Sequence, residues 1–157
     1  MCPKDFKIKS DSISEGTKKP LRILIYEPED GNREVLCEVL KKDHEIVIIE
    51  SIKNDLEIRD FDIIIIDPEN GDIKELIHAI CKRYPDKKFW IIVTSDKDEI
   101  ELGLNKTTYK RLIFIPKPYD LDIVEKSVNK IVQWRAEEGE FPENLARKLA
   151  RLLGFKL

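Results

Sequence analysis

Asp67 ends the apolar run Ile63-Ile64-Ile65-Ile66, Glu27 and Glu29 follow a second run, Thr94 and Ser95 close a third, and Lys117 follows a fourth. Carboxylates, a hydroxyl and an ammonium placed this way suit phosphoryl transfer onto an aspartate. The carboxylate attacks phosphorus, a divalent cation on hard oxygen ligands neutralises the gathering charge, and lysine and hydroxyl hold the phosphoryl oxygens. Neither an adenine site nor a Gly-rich loop is required. Each residue also has a plainer reading: Asp67 before Pro68 starts a turn, Thr94 suits any strand, Ser95 caps a helix, and Lys117 is a loop lysine. Their occurrence after four different runs, in order, favours the joint reading.

For these residues to meet, the runs must be neighbouring strands. Strands are expected at 21–26, 45–50, 62–67, 89–94 and 111–115, and the unbroken apolar stretch before Asp67 is typical of a strand buried on both faces in a parallel sheet. Between them, 32–42, 72–84 and, more weakly, 96–104 carry apolar residues at helical spacing, and a last helix starts with Asp120 as N-cap and runs through Leu121, Val124, Val128 and Ile131. Residues 51–60 leave room for about one turn, so the second helix is expected to be shortened. The fold class is therefore α/β: a three-layer α/β/α sandwich on a five-stranded parallel sheet with right-handed crossovers, flavodoxin-like in architecture. Sites in such sheets form at the carboxyl ends of the strands, where strand order reverses.

The chain has 157 residues, room for one core, and a formal net charge of −3 from nearly balanced acids and bases. No field of one sign points to nucleic acid or to an anionic membrane. No apolar run spans a bilayer and the N-terminus lacks an apolar signal core, so a cytoplasmic location is expected. Cys2, Cys37 and Cys81 are odd in number and widely spaced, which argues against a disulfide framework and a zinc knuckle. Cys37 and Cys81 fall inside helical patterns and read as small core hydrophobes. Residues 1–20 lack periodicity and read as a disordered arm, 21–135 as the folded domain, and 136–157 as a helical extension. Within that extension Glu138-Gly139 breaks the pattern, Pro142 suits a first helical turn, and Leu145, Leu149 and Leu152 form a stripe.

The segments "RILIYEPEDGNREVL", "FDIIIIDPENG", "IIVTSD" and "LIFIPKPYDLDIVEKSV" together resemble the receiver domain of two-component response regulators over roughly 21–135. The resemblance implies Asp67 as phospho-acceptor, Thr94 as switch hydroxyl, Lys117 as the partnering lysine and Phe114 as the switch aromatic. It implies a Mg²⁺ site from Glu27, Asp67 and the Glu69 backbone carbonyl. The implied partners are a histidine kinase or phosphotransfer protein and a downstream protein or second copy, met through the fourth helix, fifth strand and fifth helix. Neither direct nucleic-acid contact nor a membrane role is implied. Enzymatic activity would be at most acceptance from a phosphohistidine donor and slow autodephosphorylation.

One departure stands out. The family presents two adjacent acids after its first strand, and here the pair reads Glu27-Pro28. Proline supplies no carboxylate, so the cation site is expected to be weakened or lost. The sequence therefore supports two roles: a phosphorylated switch in phosphorelay signalling, or a phosphorylation-independent pseudo-receiver acting as an interaction or dimerisation module. A flavodoxin-like enzyme or nucleotide binder is disfavoured, because Gly31 stands alone after the first strand, and His44 and His78 fit no hydrolytic motif.

Overall fold

The computed structural model describes 20–51, 57–69, 73–104 and 109–137, together with the backbone of Lys7 and Ile8. Its elements run β1 (Lys7–Ile8), β2 (Arg22–Tyr26), α1 (Asp30–Leu40), β3 (Glu45–Ile48), β4 (Ile63–Ile66), α2 (Ile73–Arg83), β5 (Trp90–Ser95), β6 (Leu112–Pro116) and α3 (Leu121–Glu137).

The sheet order is β1-β3-β2-β4-β5-β6. Strands β2 to β6 are mutually parallel, as their apolar runs require. Every residue of β4 and β5 is buried, which fits their central positions. Alternate residues feed two cores. Ile23, Ile25, Ile63, Ile65, Ile92 and Ile113 pack under α1 and α3, while Leu24, Ile64, Ile66, Ile91 and Val93 pack with Ile73, Ile77 and Ile80 of α2. Asp120 caps α3, its Oδ1 accepting the Asp122 N–H at 2.9 Å. Among the described residues no helix is long and apolar enough to cross a membrane.

Four expectations meet corrections or limits. First, Lys7 and Ile8 of the supposedly disordered arm pair antiparallel with Val47 and Ile46, adding a sixth strand at the β3 edge. So short a strand carries no detectable alternation, and only the ladder reveals it.

Second, the fourth helix is replaced by a single turn among the described residues. Asp98 and Glu101 form a reciprocal capping box, with Glu101 N–H on Asp98 Oδ1 at 2.8 Å and Asp98 N–H on Glu101 Oε1 at 3.4 Å. The same turn is closed at once: Leu104 N–H reaches the Glu99 carbonyl at 2.9 Å and Gly103 N–H the Ile100 carbonyl at 3.0 Å. With Gly103 at φ 72°, this is a Schellman stop. A docking face built on a fourth helix therefore lacks that helix over 96–104.

Third, Cys37 is fully buried in α1 as expected, yet it is disulfide-bonded, whereas Cys81 is free. Its partner lies outside the described residues. A lone bridged cysteine leaves no spacing signature.

Fourth, two expected elements extend past the described residues. Residues 52–56 of the shortened second helix and 138–157 of the C-terminal extension lie outside the described residues.

Candidate functional site

Strand order reverses at β2, which has β3 on one side and β4 on the other, so the crevice lies beyond the carboxyl ends of β2 and β4. Tyr26 is register-paired with Ile66. One residue further along, Glu27 and Asp67 are therefore neighbours across the two strands, an arrangement tied by the Asp67 N–H on the Tyr26 carbonyl at 3.0 Å.

Both acids precede a proline and then a glutamate: Glu27-Pro28-Glu29 and Asp67-Pro68-Glu69. A residue before proline is pushed toward extended backbone, so each acid prolongs its strand instead of turning away. The next residue has no N–H, and the carboxylate takes the one after it. Glu29 N–H donates to Glu27 Oε2 at 3.2 Å, and Glu69 N–H donates to Asp67 Oδ1 at 2.7 Å. The same carboxylate-to-backbone bond thus occurs at both strand ends, with Glu29 extended at φ −82° and Glu69 left-handed at φ 55°.

Lys117 arrives from β6, its own backbone N–H on the Ser95 carbonyl at 2.7 Å. It too precedes a proline, across a cis peptide bond. Its Nζ lies 2.5 Å from Asp67 Oδ2 and 2.7 Å from Glu27 Oε1. Glu27 is only 2% exposed and Asp67 8%, so the ammonium offsets charge that water barely reaches. Burial by itself would lower the Lys117 pKa. Its hydrogen bonds to Asp67 and Glu27 outweigh that and hold it above its ordinary value.

The surrounding side chains complete the arrangement. Tyr119 donates its phenol to Glu27 Oε1 at 3.3 Å, and burial together with the Glu27 charge pushes that phenol's pKa up. Tyr26 donates to Glu69 Oε1. This hydrogen bond first, then burial and the charges of Glu69, Asp67 and Glu27, push the Tyr26 phenol up to about 12. Arg33, buried in the first turns of α1, donates to the Glu27 carbonyl at 3.1 Å and pairs with Asp30. It straps the β2–α1 turn to the helix.

Of the residues singled out in the sequence, Glu27, Asp67 and Lys117 form one hydrogen-bonded set. Thr94 is buried one residue before the end of β5, in register with Ile115. Phe114 is buried on β6 in the α2-side core. Tyr26 and Tyr119 were not identified as contributors: Tyr26 reads as an ordinary strand residue, and Tyr119 only as the aromatic after Lys-Pro.

The side-chain donors that would face a cation here are the Glu27 and Asp67 carboxylates. They suit the oxygen-seeking chemistry of Mg²⁺, which commonly takes one or two carboxylates with water and phosphate oxygens. Every Glu27 and Asp67 carboxylate oxygen already accepts a hydrogen bond. Among the described residues no group of three acidic, histidine or cysteine side chains forms a ready metal site. The residues fit a weakly held hard cation.

No family model and no curated protein matches the sequence. Solved structures do. The signal receiver domain of an HD domain-containing protein from Pseudomonas fluorescens Pf-5 superposes with a TM-score of 0.62 at 16% identity, covering 80% of this chain and 95% of that one. A CheY-like response regulator receiver domain protein from Methanospirillum hungatei JF-1 gives 0.60 at 18% identity, covering 77% and 100%. The beryllofluoride-activated NtrC4 receiver domain dimer gives 0.54 at 18%, covering 71% and 96%. Strand order, the reversal at β2 and these superpositions agree: the chain has the fold of response-regulator receiver domains.

Proposed function

We propose that the protein is a phosphorelay receiver that accepts a phosphoryl group on Asp67. The observation that carries this reading is the meeting of Asp67 and Lys117 at 2.5 Å from strands that do not adjoin. An Asp67 oxygen attacks the phosphorus of a phosphohistidine on a histidine kinase or phosphotransfer protein. The P–N bond breaks, its electron pair stays on the imidazole nitrogen, which takes up a proton, and an acyl phosphate forms on Asp67. Lys117 moves from the carboxylate to the phosphoryl oxygens, and the Thr94 hydroxyl on β5 serves the same oxygens. Glu27 keeps Lys117 charged and in place. A Mg²⁺ ion held by Glu27, Asp67 and the Glu69 carbonyl would supply further charge neutralisation. Phe114 on β6 and the turn after β5 form the responding surface, and the output is altered contact with a cytoplasmic protein partner or a second copy. The NtrC4 neighbour, a dimer in its beryllofluoride-activated state, supports this mode of output.

A second reading is favoured by one specific observation: Pro28 stands where a metal-binding acid is expected, and Lys117 lies against both remaining acids. In this pseudo-receiver the crevice is a permanent structural ion cluster and the fold is kept as an interaction surface. Incubating the full chain with Mg²⁺ and acetyl phosphate and weighing it intact separates the two. A phosphoryl adduct lost in Asp67→Ala supports the switch. An unchanged mass at millimolar Mg²⁺ supports the pseudo-receiver.

A further inference from the structure

Glu69 is the described non-glycine residue with a positive φ, 55°, a conformation that L side chains seldom adopt and that surrounding structure must impose. The same residue carries the N–H that meets Asp67 Oδ1 at 2.7 Å. Its side chain is exposed, so packing of Glu69 itself does not impose this conformation. What reaches it is the phenol of Tyr26, from the end of the adjacent strand β2.

Tyr26 is itself well anchored. Its backbone pairs with Ile66, its carbonyl accepts the Asp67 N–H, and its ring packs against the α2-side core. A rigid donor on one strand therefore grips the free end of the turn on the next. Pro68 adds to the effect, because its lack of an N–H leaves Glu69 as the next backbone donor available to Asp67.

We propose that Tyr26 is a positioning residue for the acceptor. By holding the Glu69 carboxylate it anchors the far end of the Asp67-Pro68-Glu69 turn, which keeps the Glu69 N–H on Oδ1 while Oδ2 faces Lys117. This role rests on Asp67 being the acceptor, and it adds a determinant outside the acid, hydroxyl and lysine set. Without the phenol the Glu69 carboxylate loses its described partner, and the Asp67–Glu69 hydrogen bond is held less firmly.

The test has two arms on the full chain. In the first, hydrogen exchange at the residue 69 amide is followed by NMR in the wild type, Tyr26→Phe and Glu69→Gln. Tyr26→Phe speeds exchange about fivefold, the factor expected for loss of one hydrogen bond, and leaves the Ile64 and Ile65 amides unchanged. Glu69→Gln, whose amide oxygen still accepts from the phenol, keeps most of the protection. In the second arm, acetyl phosphate labelling slows about fivefold in both Tyr26→Phe and Glu69→Ala, and the double variant is no slower than either, as for two ends of one interaction. Unchanged exchange in Tyr26→Phe, or losses that multiply in the double variant, overturns the proposal. A wild-type chain that never labels defeats the acceptor reading, and the exchange arm then decides alone whether Tyr26 sets the turn.

Discussion

Lys117 Nζ lies 2.5 Å from Asp67 Oδ2 and 2.7 Å from Glu27 Oε1, so one ammonium from β6 faces two carboxylates that end β2 and β4. The triad carries one net negative charge in a crevice where the lysine side chain is 13% exposed.

Removing that ammonium leaves two buried acids facing each other. Lys117→Met is expected to cost about 3 kcal/mol at neutral pH, the scale for breaking a buried pair from one side. Urea unfolding of wild type and variant at pH 7 measures the loss. A variant as stable as wild type at pH 7 would show the ion cluster to be energetically idle.

Stability should also fall at high pH. Lys117 is held above its ordinary 10.5 and Tyr26 is raised from 10.0 to about 12. Burial first, and for Tyr119 the Glu27 charge as well, hold the Tyr109 and Tyr119 phenols up too. In every case the folded protein binds the proton more tightly than the unfolded chain. The contribution is therefore complete below about pH 10 and is lost as pH rises through the folded values. Denaturant titrations from pH 8 to 12 should show a plateau followed by a decline, with a shallower decline in Tyr26→Phe.

Pro28→Asp adds a carboxylate beside Glu27 at the exposed rim of the crevice. Mg²⁺ binding followed by calorimetry should tighten by about tenfold, because affinity at hard-cation sites scales with the number of charged ligands. Equal affinity in the two proteins would mean that position 28 does not face the cation.

Gly103 sits at φ 72° with open space where a Cβ would project. Gly103→Ala should therefore cost about 1 kcal/mol, from backbone strain alone. Thermal or urea unfolding measures it. A stabilised variant would mean that the turn after β5 relaxes into the longer helix that its apolar spacing predicts.

The layered α/β/α architecture and the acids and lysine of the crevice were legible in the sequence because both follow from local order. Runs such as Ile63 to Ile66 permit only a strand buried on both faces, and parallel strands joined by right-handed crossovers bring their carboxyl ends to one edge. Asp67, Glu27 and Lys117 each sit where such a run stops, so connectivity alone gathers them. That each of these two acids also accepts the backbone N–H two residues on became clear only from the folded chain.

What only the tertiary structure decided concerns contacts between positions far apart in sequence or competition within a single turn. Tyr26 meets Glu69 and Tyr119 meets Glu27 across separations of 43 and 92 residues, and no periodicity encodes which side chain reaches across a crevice. The pairing of Lys7 with Val47 depends in the same way on where distant backbone comes to rest. The turn at 98–104 has helical spacing, yet its capping box and its Schellman stop fall within one turn. Spacing measures which face of a helix would be apolar, whereas the hydrogen bonds at each end determine whether a helix has room to form.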